Sequence, residues 1–91
     1  MPVYRVVVLA PAYEGWQRIT EEREHSAVKD ALGKLLEHPE EPDPYKAKKR
    51  SEGWEMHVGR WKVKYEIRPI ELVVYVHTIT ESPSWKFDYR H

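Results

Sequence analysis

Apolar and polar positions alternate with different periods along the chain, and the period changes mark the elements. Residues 3–9 are apolar and largely β-branched, which predicts a short strand inside a sheet. Pro11 ends that strand and can open a helix. Tyr13, Trp16 and Ile19 recur at a spacing of three and predict one helical face, with Gly15 shortening or distorting the helix. Thr20 reads as an N-cap, with the acids of residues 21–24 in the first turn. Ala27, Val28, Ala31, Leu32, Leu35 and Leu36 then follow an i, i+3, i+4 pattern, the clearest helix in the chain, ending near His38 and Pro39. The two helices form a hairpin.

Residues 39–51, PEEPDPYKAKKRS, hold three prolines and many charges and read as an ordered or semi-ordered loop. Beyond them the period drops to two. Trp54, Met56 and Val58 share one face of a strand, and Trp61, Val63, Tyr65 and Ile67 share the same face of the next, with Gly59 and Arg60 between. Residues 68–71 make a turn, and the apolar run 72–79, LVVYVHTI, predicts a well-buried strand. The tail, residues 80–91, is polar and aromatic, and Pro83 argues against regular continuation. The expected order is β-α-α-β-β-β, an α+β fold. Its antiparallel sheet has the helical hairpin on one face and the other face open.

Bulk properties narrow the class. Ninety-one residues make one small domain, 1–91, near the lower end of what a single core sustains. A 41% hydrophobic content with four tryptophans suffices for that core and is too apolar for a disordered chain. With no cysteine, disulfides and thiolate metal sites are excluded. The N-terminal apolar run is too short for a membrane span and lacks the basic region of a signal peptide, so a soluble cytoplasmic protein is expected. Net charge is zero but segregated: residues 14–43 carry nine acids and four bases, and residues 44–64 carry seven bases and two acids. A basic stretch gathered on one face is the footprint of a polyanion binder, although small neutral domains also segregate charge without one.

The open face is where chemistry would sit. Glu55, His57, Lys62, Lys64 and Glu66 project from it and make it mildly cationic. The chain has no phosphate-binding glycine loop, and its five histidines show no paired metal-ligand spacing. Neither HSAV nor SPSW has the setting of a nucleophile elbow. What remains is metal-free proton transfer of the kind that cleaves RNA. One group takes the ribose 2′-OH proton, cations stabilise the phosphorane, and another group protonates the leaving oxygen. His57 is the candidate for proton transfer, or else a surface histidine paired across to Lys62 or Lys64. The two lysines are candidates for phosphate contact, or else solubilising side chains. His77 shares the parity of Tyr75 and Ile79 and reads as a core histidine. Trp54 and Trp61 read as core anchors, and Trp85, Phe87 and Tyr89 either stack on a base or pin the tail.

Residues 46–79, from KAKKRSEGWEMHVGRWKVKYEI through the valine-rich strand, resemble the RelE/ParE toxin superfamily, whose members share this length and the order β-α-α-β-β-β. The resemblance implies a type II toxin–antitoxin toxin with a cognate antitoxin partner, no cofactor and no metal. In its RelE branch it implies a ribosome-dependent endonuclease acting on messenger RNA. Matched position by position, Glu55 and His57 stand where that branch has two basic residues, and Lys62 where it has a third-strand Arg. Thr80, Glu81 and Ser82 stand where it has a basic residue and Arg. The implied site is His57, Lys62 and Tyr89 for catalysis, with Arg60, Lys64, Lys86 and Arg90 on phosphate. Two other readings stay open: a ParE-like inhibitor of DNA gyrase, and a repurposed member that binds only protein.

Overall fold

In the computed structural model, residues 3–82 are described. The chain runs β1 (Arg5–Val8), α1 (Ala10–Gln17), α2 (Glu22–Lys34), β2 (Lys46–Arg50), β3 (Gly53–Val58), β4 (Trp61–Arg68) and β5 (Val73–Glu81). The strands form one sheet in the order β1-β5-β4-β3-β2. β1 lies parallel to β5, and every other pairing is antiparallel. The helices cover one face, α1 against β5 and α2 against β3. Between the layers lie Val28 and Ala31 of α2, Leu35 at its C-cap, Met56 and Val58 of β3, Val63 and Tyr65 of β4, and Val74, Val76 and Ile79 of β5, all buried.

The expected α+β architecture holds, with one strand more than the sequence predicts and with β1 parallel to β5, so that the sheet is mixed and not antiparallel throughout. Residues 46–50 form β2, not loop, and pair in register with β3 from Lys46 opposite His57 to Arg50 opposite Gly53. Four of the five residues are Lys or Arg, which carry little strand propensity. The strand exists because a two-residue turn at Ser51 and Glu52 folds it back onto β3, and lysine is well suited to a sheet edge that must not recruit further strands. Gly53, with φ 133, closes that turn, and a side chain there would lie 2.8 Å from the Tyr65 carbonyl oxygen. The next turn is the expected Gly59–Arg60 pair; φ 61 at Gly59 is what a two-residue hairpin of this hand demands at its first position.

Three further expectations are corrected. The inward side of α1 is Ala12 and Gly15, continued by Ile19 after the helix, whereas Tyr13 is 49% exposed. Small residues win because α1 sits directly on β5: a Cβ at Gly15 would collide with the Ile79 carbonyl oxygen. Gly15 is thus the residue that permits contact, not a weak point. Helix α2 is capped by Glu21, whose side chain accepts from the Glu24 amide at 2.8 Å, rather than by Thr20, and it ends at Lys34, before His38. Finally, β5 carries a bulge: Lys64 pairs with Thr78, but Tyr65 pairs with Val76, leaving His77 as the extra residue. The bulge shifts the alternation by one. Ile79 points into the core, and His77 lies on the open face with its side chain 47% exposed, not in the core.

Candidate functional site on the open sheet face

Pairing alone places the polar side chains of the open face. Residues directly opposite on neighbouring strands share a face, so the register builds two rows across four strands. One row runs Lys46, His57, Lys62, Thr80 and the next runs Lys48, Glu55, Lys64, Thr78. Arg50 stands beside the second row, on β2. From sequence alone Lys46, Lys48 and Arg50 fall in a loop, which undercounts the charge here. The face has the period-two signal of β2, K-x-K-x-R, but its pattern is basic where strands are usually recognised by apolar alternation.

Glu55 is the hub. It is only 9% exposed although it belongs to the open face, because the cations around it cover it. Its carboxylate lies 3.0 Å from His57 Nε2, 3.4 Å from Arg50 Nε and 3.9 Å from Lys62 Nζ. Burial pushes the Glu55 carboxyl up. The charges of Lys62 and Arg50 and the His57 hydrogen bond outweigh it, and the group ends below its ordinary value. Glu55 is therefore ionised at neutral pH and can only accept. His57 Nε2 must donate to it, and in the neutral ring that leaves the Nδ1 lone pair available.

At the far end of the face a smaller cluster repeats the theme. Glu66 takes Arg68 Nε at 2.9 Å and His77 Nε2 at 3.2 Å. These two hydrogen bonds, that from His77 foremost, hold the Glu66 carboxyl below its usual range.

Arg60 stands apart from this surface. Its guanidinium forms a two-pronged pair with Glu24 of α2, at 3.0 Å on each prong, and reaches Glu81 at 3.1 Å. Trp61 Nε1 donates to the same Glu24 carboxylate at 3.1 Å. This clasp ties the β3–β4 turn to the helix layer, and the structure does not bring Arg60 to the His57 row. His57, Lys62 and Lys64 are brought together. Tyr89, Lys86 and Arg90, with the aromatic tail, lie outside the described residues. Among the described residues no group of His, Asp and Glu is placed to hold a metal ion, and no helix is long and apolar enough to cross a membrane.

No family model matches this chain, and no curated protein matches it in sequence. Solved structures do. The archaeal RelE–RelB complex from Pyrococcus horikoshii matches over 89% of this chain and 97% of its own, with TM-score 0.74 at 12% identity. The toxin–antitoxin complex RelBE2 from Mycobacterium tuberculosis matches over 87% and 98%, with TM-score 0.70 at 20% identity. A mutant of E. coli toxin RelE in the free state matches over 92% and 88%, with TM-score 0.60 at 15% identity. With its five-stranded mixed sheet under two helices, this chain has a RelE-like fold, matched nearly end to end by these three structures.

Proposed function

We propose that this chain is the toxin of a type II toxin–antitoxin pair, kept silent by a cognate antitoxin, and that its open sheet face cuts messenger RNA on the ribosome. The observation that carries this reading is the Glu55–His57 pair set among Lys46, Lys48, Arg50, Lys62 and Lys64. RNA binding is dominated by phosphate neutralisation, and these cations lie on one continuous surface despite the neutral chain. The similar structures from Pyrococcus horikoshii and Mycobacterium tuberculosis are a RelE–RelB complex and a toxin–antitoxin complex, which supports the partner.

The chemistry follows from the donor set. His57 Nδ1 takes the proton of a ribose 2′-OH while Glu55 holds the ring through Nε2 and stabilises the imidazolium. The 2′ oxygen forms a bond to phosphorus, and the bond from phosphorus to the 5′ oxygen breaks. Lys62, and Lys64 behind it, stabilise the charge on the phosphorane oxygens. The 5′ oxygen leaves with a proton from a second group, for which Tyr89 is the candidate. The products are a 2′,3′-cyclic phosphate and a 5′-hydroxyl. Glu55 replaces a cation implied by the resemblance, and in this scheme it is a positioning residue.

The test is induced expression in a bacterial host, with growth and primer extension of a translated reporter followed for wild type, His57→Ala and Lys62→Ala. Growth arrest with cuts that both substitutions abolish supports the nuclease. Growth arrest without cuts transfers the proposal to gyrase, where breaks in DNA would be sought. Normal growth with soluble protein present leaves a fold that binds only protein. Glu81, clasped by Arg60 where the resemblance implies a basic residue, is the feature that favours that last reading.

A further inference from the structure

The sheet has two edges, and the sequence treats them differently. β2 forms one edge with KAKKR, four of its five residues cationic. β1 forms the other with RVVV, and from Val3 to Ala10 the only charge is Arg5. An apolar, β-branched edge without guarding lysines is a template for another strand.

The groups that this edge offers can be counted. The amides of Arg5 and Leu9 donate to the carbonyl oxygens of Leu72 and Val76, on the β5 side. Backbone groups alternate along a strand, so Val7 also faces β5, and the amides and carbonyls of Val6 and Val8 face away from it. Among the described residues no strand lies beyond them. The Tyr4 amide is already spent on the Leu36 carbonyl oxygen at 2.6 Å, and Ala10 belongs to α1. The edge therefore presents two donors and two acceptors, on the two residues that flank Val7.

That set is complementary to itself. An antiparallel copy placed about a two-fold axis through Val7 sets Val6 opposite the partner's Val8 and Val8 opposite the partner's Val6, and all the outward groups pair. An axis through Val6 would need the Tyr4 amide, and an axis through Val8 would need Ala10 of the helix. The register through Val7 also sets Val3, 61% exposed, opposite the partner's Pro11. With zero net charge, two copies meet no net repulsion. Pairing β1 with β1 uses up both unguarded edges and leaves only the two lysine-rich β2 edges outside, so assembly closes at two.

We infer that this chain forms a two-fold symmetric dimer by antiparallel pairing of β1, which joins two five-stranded sheets into one of ten strands. The seam is short, and the dimer belongs to the small, weak class of interfaces. Its axis runs perpendicular to the sheet, so both open faces point the same way and neither is covered. The inference stands apart from the proposed nuclease.

Sedimentation of the full chain from micromolar to millimolar concentration should show a monomer–dimer equilibrium. Val7→Lys sets two like charges directly opposite each other at the axis and should give a folded monomer, with unchanged circular dichroism, where the wild type is dimeric. The chain has no cysteine, so Val7→Cys gives a second readout that needs no loss of stability. Opposed residues of a non-hydrogen-bonded pair lie about 4.5 Å apart between Cα atoms, within disulfide reach. Mild oxidation should therefore link Val7→Cys as a dimer and leave Lys48→Cys, on the guarded edge, largely unlinked. Hydrogen exchange at the Val6 and Val8 amides should slow as concentration rises. A monomer at every concentration, or equal cross-linking of the two cysteine variants, overturns the inference. Protection of the Val6 and Val8 amides in a monomer also overturns it, since another stretch of the same chain would then cover the edge.

Discussion

Two ion clusters in this small domain use the same residue types in opposite proportion. At Glu55 one carboxylate faces Arg50, His57 and Lys62, with Lys48 and Lys64 beside it on the same row. At Arg60 one guanidinium faces two carboxylates, Glu24 and Glu81, its ion-pair partners among the described residues. The first cluster keeps a surplus of positive charge after its own pairing is complete, and the second does not. A surplus can take up an anion from solution; a saturated arginine can only hold protein to protein. Basic residues a few positions apart in the sequence thus divide into surface chemistry and structural clasp, and stoichiometry is what divides them.

The most severe way to break that comparison is to remove a member of each cluster and measure cleavage. His57→Ala should lower RNA cleavage at least about 100-fold, the usual lower bound for a lost general base. Lys62→Ala should cost a comparable factor, since a preorganised cation at the phosphorane contributes on the order of 10²–10³. Arg60→Ala should leave cleavage per folded molecule near wild type and lower Tm instead. If Arg60→Ala abolishes cleavage at unchanged Tm, the division drawn above is wrong.

A smaller effect with two signs sharpens the point. Glu55→Ala should lower cleavage by at least about tenfold, the lower end of what is lost when a carboxylate that orients a metal-ligating histidine is removed. It should also tighten RNA binding, because Arg50 and Lys62 are then free to meet phosphate. The slope of log K against log salt should steepen by about one for each cation so released. Glu55→Gln, which can still accept from His57 Nε2, should keep more of the cleavage than Glu55→Ala. Weaker cleavage together with weaker binding would indicate simple loss of structure, and circular dichroism on the same samples would show it.

Much of this was legible in the sequence, and the failures share a cause. The hairpin of β3 and β4, with Glu55, His57, Lys62, Lys64 and Glu66 on one side, follows from strict alternation of Trp54, Met56, Val58, Trp61, Val63 and Tyr65. The second helix follows from its 3.6 period. The strand at Lys46–Arg50 was hidden because its partner strand, not its own propensity, makes it a strand. His77 was misplaced because parity counting assumes an unbroken ladder, and one bulged residue inverts everything beyond it. On α1 the large residues Tyr13 and Trp16 suggest the inward side, whereas close packing on β5 selects Ala12 and Gly15. In each case a neighbour in space, absent from the local pattern, decided the outcome. The ion clusters belong to the same class: Arg60 and Glu24 are 36 residues apart, and no spacing rule pairs them.

The mildest test reads both clusters through protons. The hydrogen bonds from Arg60 and Trp61 hold the Glu24 carboxyl below its ordinary value, and the cations around Glu55 overcome its burial to do the same there. A carboxylate depressed in the folded state binds fewer protons than in the unfolded chain, so it contributes stability above the unfolded value, near pH 4.3. That contribution is lost as pH falls through the folded value. Thermal melts between pH 7 and pH 2 should therefore show Tm falling on the acid side. Glu24→Gln should lower Tm at neutral pH and flatten part of the acid-side slope, and Glu55→Gln should flatten another part. Among the described residues the two carboxylates share no ion-pair partner, so the double variant should lose close to the sum of the two effects. Added salt should shrink the differences, since Arg50, His57 and Arg60 are all about half open to solvent and their pairing is screened. A slope unchanged by Glu24→Gln would mean that the clasp contributes nothing to folding, and Arg60 would then be as free for an anion as the lysines of the open face.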